Sequence, residues 1–140
     1  MDWNEAQDRI RTKIQVGTDV NIAKSKDRVV KSVDSVINSK RCGYHNERGF
    51  VVPIGKTSIS IPWSMLEECF CQLSGSGFSK ASFEKAFPCL CNRHGKLHKP
   101  CYIHVIGQMF VKADVARETK NLSVNKANLP ECDYRSSKVQ

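Results

Sequence analysis

Acidic side chains are missing altogether between positions 89 and 113, where four basic ones stand: Arg93, Lys96, Lys99 and Lys112. Also missing is any apolar run approaching the ~20 residues that a bilayer-spanning helix needs. The first nine residues include Asp2, Glu5 and Asp8 and lack the basic flank and apolar centre of a secretory signal, so a cytoplasmic protein away from membranes is expected. Catalytic signatures are absent too: there is no Gly-x-Ser-x-Gly elbow and no His-Glu-x2-His pair. Gly55-Lys56-Thr57 imitates the end of a phosphate loop but has no glycine at the required upstream offset, and Glu67 and Glu68 are helix neighbours whose side chains diverge. These absences predict a protein that is not an enzyme and carries no cofactor. Seven cysteines cannot all pair within one chain, and with no sign of export the thiols are expected to be reduced.

What is present begins with charge. The 140 residues carry 22 Lys and Arg against 14 Asp and Glu, a formal net charge of +8. The excess is not spread evenly. Residues 21–50 hold seven basic side chains and three acids, residues 89–113 hold four and none, and residues 51–88 balance. Two basic islands around a neutral middle are the pattern of a polyanion footprint, because clustered Lys and Arg neutralise successive phosphates. A chain of this length suits one compact domain that buries roughly two thirds of its unfolded surface. That domain is expected over residues 1–116, with a polar, partly ordered tail over 117–140.

Apolar spacing gives the elements. Trp3, Ala6, Ile10 and Ile14 mark an N-terminal helix that stops near Gly17. From Ser25 as N-cap, Val29, Val30, Val33, Val36 and Ile37 follow helical spacing and predict a second helix, despite their β-branched character. Residues 50–61 read as two strands joined at Gly55-Lys56, with Ile59 and Ile61 alternating against serines and Pro53 signalling an edge. A third strand over residues 42–44 would complete a small sheet. Pro62 opens a helix with Trp63, Leu66, Cys69 or Phe70, and Leu73 inward. After the glycines at 75 and 77, Ser79 caps a short helix that Pro88 closes, with Phe78 placed to staple onto Phe83. The last helix spans residues 100–115, with Tyr102, Val105, Ile106, Met109, Phe110 and Ala113 as its buried stripe. The fold class is therefore α+β: N-terminal helices, a small antiparallel hairpin or sheet, and a C-terminal three-helix cluster. Its core should unite Trp63, Leu66, Phe70, Phe83, Phe87, Tyr102, Val105, Ile106 and Met109.

Helix 62–73, a glycine turn, helix 79–87, a loop and helix 100–115, here preceded by the hairpin, resemble the order of elements in winged-helix and helix-turn-helix DNA-binding modules. In general character the chain also resembles small bacterial orphan proteins of mobile gene cassettes. The module resemblance implies that the last helix is offered to a DNA major groove. His104, Gln108 and Lys112 then occupy its outer side with Gly107 and Val111. Gln108 and His104 would read base edges, while Lys24, Lys26, Arg28, Lys31, Lys40, Arg41, Arg93, Lys96, Lys99 and Lys112 would hold phosphates. Read without the resemblance, the same residues form an ordinary solvated helix face. Gly107 stands out on either reading, since an interior glycine costs a helix about 1 kcal/mol relative to alanine and so points to a close approach by something.

Two further readings compete. Cys89, Cys91, His94, His98, Cys101 and His104 are six candidate metal ligands within sixteen residues. Their spacing suits zinc poorly, with only Cys101 and His104 at a helical i, i+3 step, and small buried thiols explain the cysteines equally well, so no metal is expected. Alternatively the protein is a small oligomeric binding or adaptor protein that forms a homodimer through the edge strand within residues 50–61.

Overall fold

The computed structural model describes residues 1–21, 28–75, 77–119 and 134–136. Helix α1 (Trp3–Lys13) starts where the Asp2 carboxylate accepts the Glu5 N–H at 2.8 Å, and it buries Ala6 and Ile10. Such a cap satisfies one of the four donors a helix start leaves unpaired. Trp3 reaches across to Trp63 and Phe70, with ring centroids 6.1 and 5.5 Å away. The chain then reverses so that residues 17–20 lie beside 28–30, joined by Val20 N–H to Arg28 O and Val30 N–H to Thr18 O, both 2.9 Å.

The helix expected from Ser25 is not formed. Residues 22–27 lie outside the described residues, and the valine-rich stretch after them is strand β1 (Ser32–Ser39), with Val29 in an isolated bridge to Asp19. Among the described residues one helix therefore precedes the sheet. Val and Ile lose side-chain freedom in a helix and pack well on a pleated surface. Their three- and four-residue spacing coincided with a helix stripe, yet Val36 is 51% exposed while its neighbour Ile37 is buried, which is the alternation of a strand.

β1, β2 (Tyr44–Ile54) and β3 (Thr57–Pro62) form an antiparallel sheet in that order. Gly55, at φ +58°, takes the first central position of the two-residue turn between β2 and β3, as the spacing predicts. Pro53 is tolerated because β1 pairs with β2 only as far as Val51, leaving that end of β2 two-stranded. β2 is thus the central strand, and the hairpin within 50–61 is open on β2 beyond Val51 and along the outer edge of β3. Two side chains meet β3: Lys99 Nζ donates to Ser58 O at 3.2 Å, and the Tyr102 hydroxyl bonds the Ser60 backbone.

Helix α2 (Trp63–Ser74) buries Met65, Leu66, Cys69 and Leu73. Helix α3 (Lys80–Ala86) carries the expected capping box, Ser79 and Ser82 satisfying each other's backbone N–H. The staple is present as well, with the Phe78 and Phe83 rings 6.0 Å apart. Helix α4 (Cys101–Lys112) ends as Asp114 turns left-handed, with Val115 N–H on Phe110 O and Asp114 N–H on Val111 O, the paired bonds of a Schellman end. All nine residues of the predicted core set join one cluster, Trp63 and Phe70 as half-buried members. The architecture is α+β, and among the described residues no helix is long and apolar enough to cross a membrane.

Helix α4 is not the half-exposed helix its stripe predicts. Eight of its twelve residues are buried, including Gly107 and Gln108 on the supposed outer face. The covering comes from the far end of the chain. β4 (Ala116–Glu118) pairs with β5 (Tyr134–Ser136), and Tyr134 and Phe78 exchange backbone bonds at 2.8 and 3.0 Å. Tyr134, 1% exposed, lies flat over Gly107, where a Cβ would fall inside its ring. The expected tail over 117–140 is mostly outside the described residues, but residues 134–136 are part of this packing.

Gly107→Ala is therefore expected to destabilise the protein by about 1–3 kcal/mol, the usual cost of overpacking a filled core. In a Tyr134→Ala background the same change should cost much less. Thermal denaturation of the two single variants and the double variant measures the coupling, and equal costs in both backgrounds would refute the contact.

Candidate anion-binding cleft

The base-reading face of α4 does not exist as a surface. Gln108, 5% exposed, spends its side-chain amide on the Glu118 carboxylate and, at 3.5 Å, on the Tyr134 hydroxyl. His104 is half-buried, and its Nδ1 is enclosed without a hydrogen-bond partner. Val111 is half-buried as well, and Lys112 is exposed at the C-terminal end of the helix, where it acts on Asp19 rather than on any other predicted phosphate contact. A stripe that covers one third of a helix in sequence says nothing about what a distant strand lays over the remainder.

The basic islands fare differently. Lys24 and Lys26 lie outside the described residues. Lys31 and Lys40 are exposed, and so are Arg93 and Lys96, on a loop shaped by the Asn92 side chain accepting the N–H groups of His94 and Lys96 at 2.8 and 3.1 Å. Arg28, Arg41 and Lys99 converge at the start of α4. Arg41 comes from the β1–β2 turn and Lys99 from the loop before α4. Together with His98, Ser39, Leu90 and Tyr102 they line a hollow of about 300 Å³. A second hollow of about 190 Å³ shares Ser39, Leu90 and Tyr102 and continues past Asn38, Cys42 and Tyr44 to the serines of β3. Neither hollow has an acidic lining residue, and among the described residues neither Arg41 nor Lys99 has a carboxylate partner.

Local electrostatics report the same gathering. Burial pushes the Cys101 thiol up, against the opposing pull of Arg28 and Lys99 and of the first N–H groups of α4. Burial likewise raises the Tyr102 phenol, with Arg41 opposing. Tyr44, at the inner end, is pushed up to about 12, first by burial and then by the nearby Cys69 and Glu47. The cleft is therefore a half-dry, cation-edged space floored by phenols that stay neutral, an arrangement suited to an anion and a poor place for a cation.

One bond ties its walls together. Cys42 and Cys89 form a disulfide with their Cα atoms 5.3 Å apart, inside the normal range for the bridge. The expectation of reduced thiols is thereby corrected at this pair. The candidate metal set is also dispersed: Cys89 is committed to the bridge, and the Cys91 thiol points at the carbonyls of Glu84 and Phe87. Among the described residues no three of Cys, His, Asp or Glu are gathered for a metal ion. Sequence reasoning missed Cys42, Ser39 and the Tyr102 hydroxyl as parts of a site. The bridge joins residues 47 positions apart, and nothing local marks one cysteine of seven as the partner of another.

A larger hollow of about 580 Å³ lies between α1 and β1, bounded by Arg11, Val16, Val33, Asp34, Phe50 and Trp63. Its charges are spent internally. Arg11 pairs with Asp34 at 3.2 Å and stacks 4.5 Å over the Trp63 ring, whose Nε1–H donates to Asp34 at 3.2 Å. It offers no free cation to a phosphate.

No family model, curated protein or solved structure matches this chain.

The raised phenol of Tyr44 carries a signed pH dependence. An unfolded tyrosine releases its proton near 10, the folded one near 12, so between those values the folded state holds the extra proton. The contribution to stability is complete below pH 10 and is lost as pH climbs to 12. Tyr44→Phe should lose less stability than the natural chain over that interval, as followed by denaturant unfolding at stepped pH. Identical slopes for the two proteins would contradict the buried setting of this phenol.

Proposed function

We propose that this chain is a non-catalytic nucleic-acid-binding protein that grips phosphates at the cleft edged by Arg41, His98 and Lys99. The observation that carries the reading is that cations from both basic islands, far apart in sequence, border one hollow without an acid. Arg28 adds charge beside Cys101, and Lys40, Arg93 and Lys96 are exposed cations close to the cleft residues in the sequence. Phosphate contact supplies affinity and its salt dependence, whereas sequence is read through base edges. With Gln108 sealed and His104 half-buried, α4 does not offer the expected base-reading face, so the binding proposed is largely indifferent to sequence. The groove-reading role implied by the winged-helix resemblance is not part of this reading.

A second reading, the binding or adaptor protein, is favoured by one feature: Val16 and Val33, 65% and 37% exposed, line the hollow between α1 and β1, and among the described residues β1 pairs on one side only. The two readings use different faces and separate experimentally.

Fluorescence anisotropy with a labelled duplex and a labelled single strand of random sequence, across a salt series, tests the first. Affinity should fall steeply with salt. Arg41→Ala and Lys99→Ala should each flatten the logarithmic slope by about 0.7–0.9, the loss of one phosphate contact, on every sequence tried. A salt-independent signal, or variants that match the natural chain, would refute the reading.

A further inference from the structure

We infer that the Cys42–Cys89 disulfide is a redox gate on this cleft: the bridged protein holds its anion-binding walls together and the reduced protein releases them. The inference rests on the phosphate-binding reading and adds its regulation.

Both cysteines sit directly beside the lining. Cys42 follows Arg41, and Cys89 precedes Leu90; Arg41 and Leu90 both line the hollow of about 300 Å³, and Cys42 itself lines the adjoining one of about 190 Å³. Each wall is anchored without the bridge. The turn over 40–43 closes the β1–β2 ladder at the Ser39–Tyr44 pair. The segment 88–99 is held by the Cys91–Leu97 bridge, by Leu97 N–H on the Glu84 carboxylate at 3.2 Å, and by Lys99 on Ser58 O. Among the described residues no hydrogen bond or ion pair joins the turn to residues 88–99, so the disulfide is the one bond of these kinds between the turn and that segment. Breaking it leaves two intact walls and frees Arg41 to move away from His98 and Lys99.

The chemistry is accessible. Cys42 and Cys89 are only half-buried, and Lys40 and Arg41 immediately precede Cys42, where positive charge stabilises a departing thiolate. The reductant is a small thiol or dithiol. One thiolate attacks a bridge sulfur, the S–S bond breaks as a mixed disulfide forms, and the released thiolate takes up a proton. A second thiol then resolves the mixed disulfide. Two electrons and two protons pass from the reductant to the protein, leaving two cysteine thiols and one external disulfide. In a reducing cytoplasm, the setting expected from the sequence, such a bond forms only transiently, which is the behaviour of a sensor.

The test uses the full chain, with pyrophosphate as competitor and the labelled single strand as probe. Bridged protein, protein reduced with dithiothreitol, and the Cys42→Ser/Cys89→Ser variant are compared in low salt, alongside far-ultraviolet circular dichroism. Reduction and the double variant should each weaken binding at least about fivefold, the scale set by having to re-order a long cationic side chain on binding. Secondary structure should be retained, and re-oxidation should restore the natural chain but not the variant. Arg41→Ala should bind equally in both redox states. Equal affinity of the bridged and reduced natural chain overturns the gate while leaving the phosphate reading intact. Absence of binding in both states overturns the reading and the gate with it. Loss of helical signal on reduction also overturns the gate, because the bridge would then be a staple for the whole fold.

Discussion

Enclosure of α4 is the constraint from which the remainder of the structure follows. A twelve-residue helix carrying Tyr102, Ile103, Val105, Ile106, Met109 and Phe110 has apolar groups over more than one face and must be covered from several directions. α3 meets it through the Phe83 and Tyr102 rings, 5.7 Å apart, and the sheet meets its first turn through Lys99 and Tyr102. Tyr134 closes it at Gly107. A glycine is needed there because the ring lies where any side chain would stand. The buried Gln108 amide is answered by Glu118 and Tyr134, as burial of an amide requires.

The same enclosure decides which surface is left for a ligand. α4 reaches the outside at its two ends, and its start does so between the β1–β2 turn and the 88–99 loop, which bring their cations with them. Charge alone did not select this place: Lys112 and the Arg93–Lys96 loop are as basic but face open water, where a single cation is worth little. Arg41 and Lys99 differ by bordering a partly dry recess. The Arg11–Asp34–Trp63 arrangement at the larger hollow is the counter-example, a cation of equal charge already neutralised by its own neighbours.

Much of the fold is legible in the sequence wherever one residue type has one local consequence. Asp2 and Trp3 start a helix, Gly55 turns a hairpin, and Ser79 with Phe78 sets the entry to α3, each through contacts within a few positions. The valines of β1 misled because their spacing satisfies two periods, and only pairing with β2 chooses between them. The outer face of α4 misled for the opposite reason: Gln108 is polar because it bonds Glu118 and Tyr134 of the small β4–β5 sheet, not because it meets water. For the site, the basic islands were visible and their meeting was not. Convergence of Arg41 with Lys99 depends on the hairpin turn being carried to the 88–99 loop, and a bridge between cysteines 47 residues apart leaves no periodic trace.

The pairing of Phe78 with Tyr134 sets a timetable for biosynthesis. The aromatic cluster beneath α3 and α4 stays unsealed until a residue six places from the end of the 140-residue sequence has left the ribosome. Domains ordinarily begin to organise as their early segments emerge. This one leaves Gly107 and its apolar surroundings uncovered until the segment that carries Tyr134 has followed them from the ribosome.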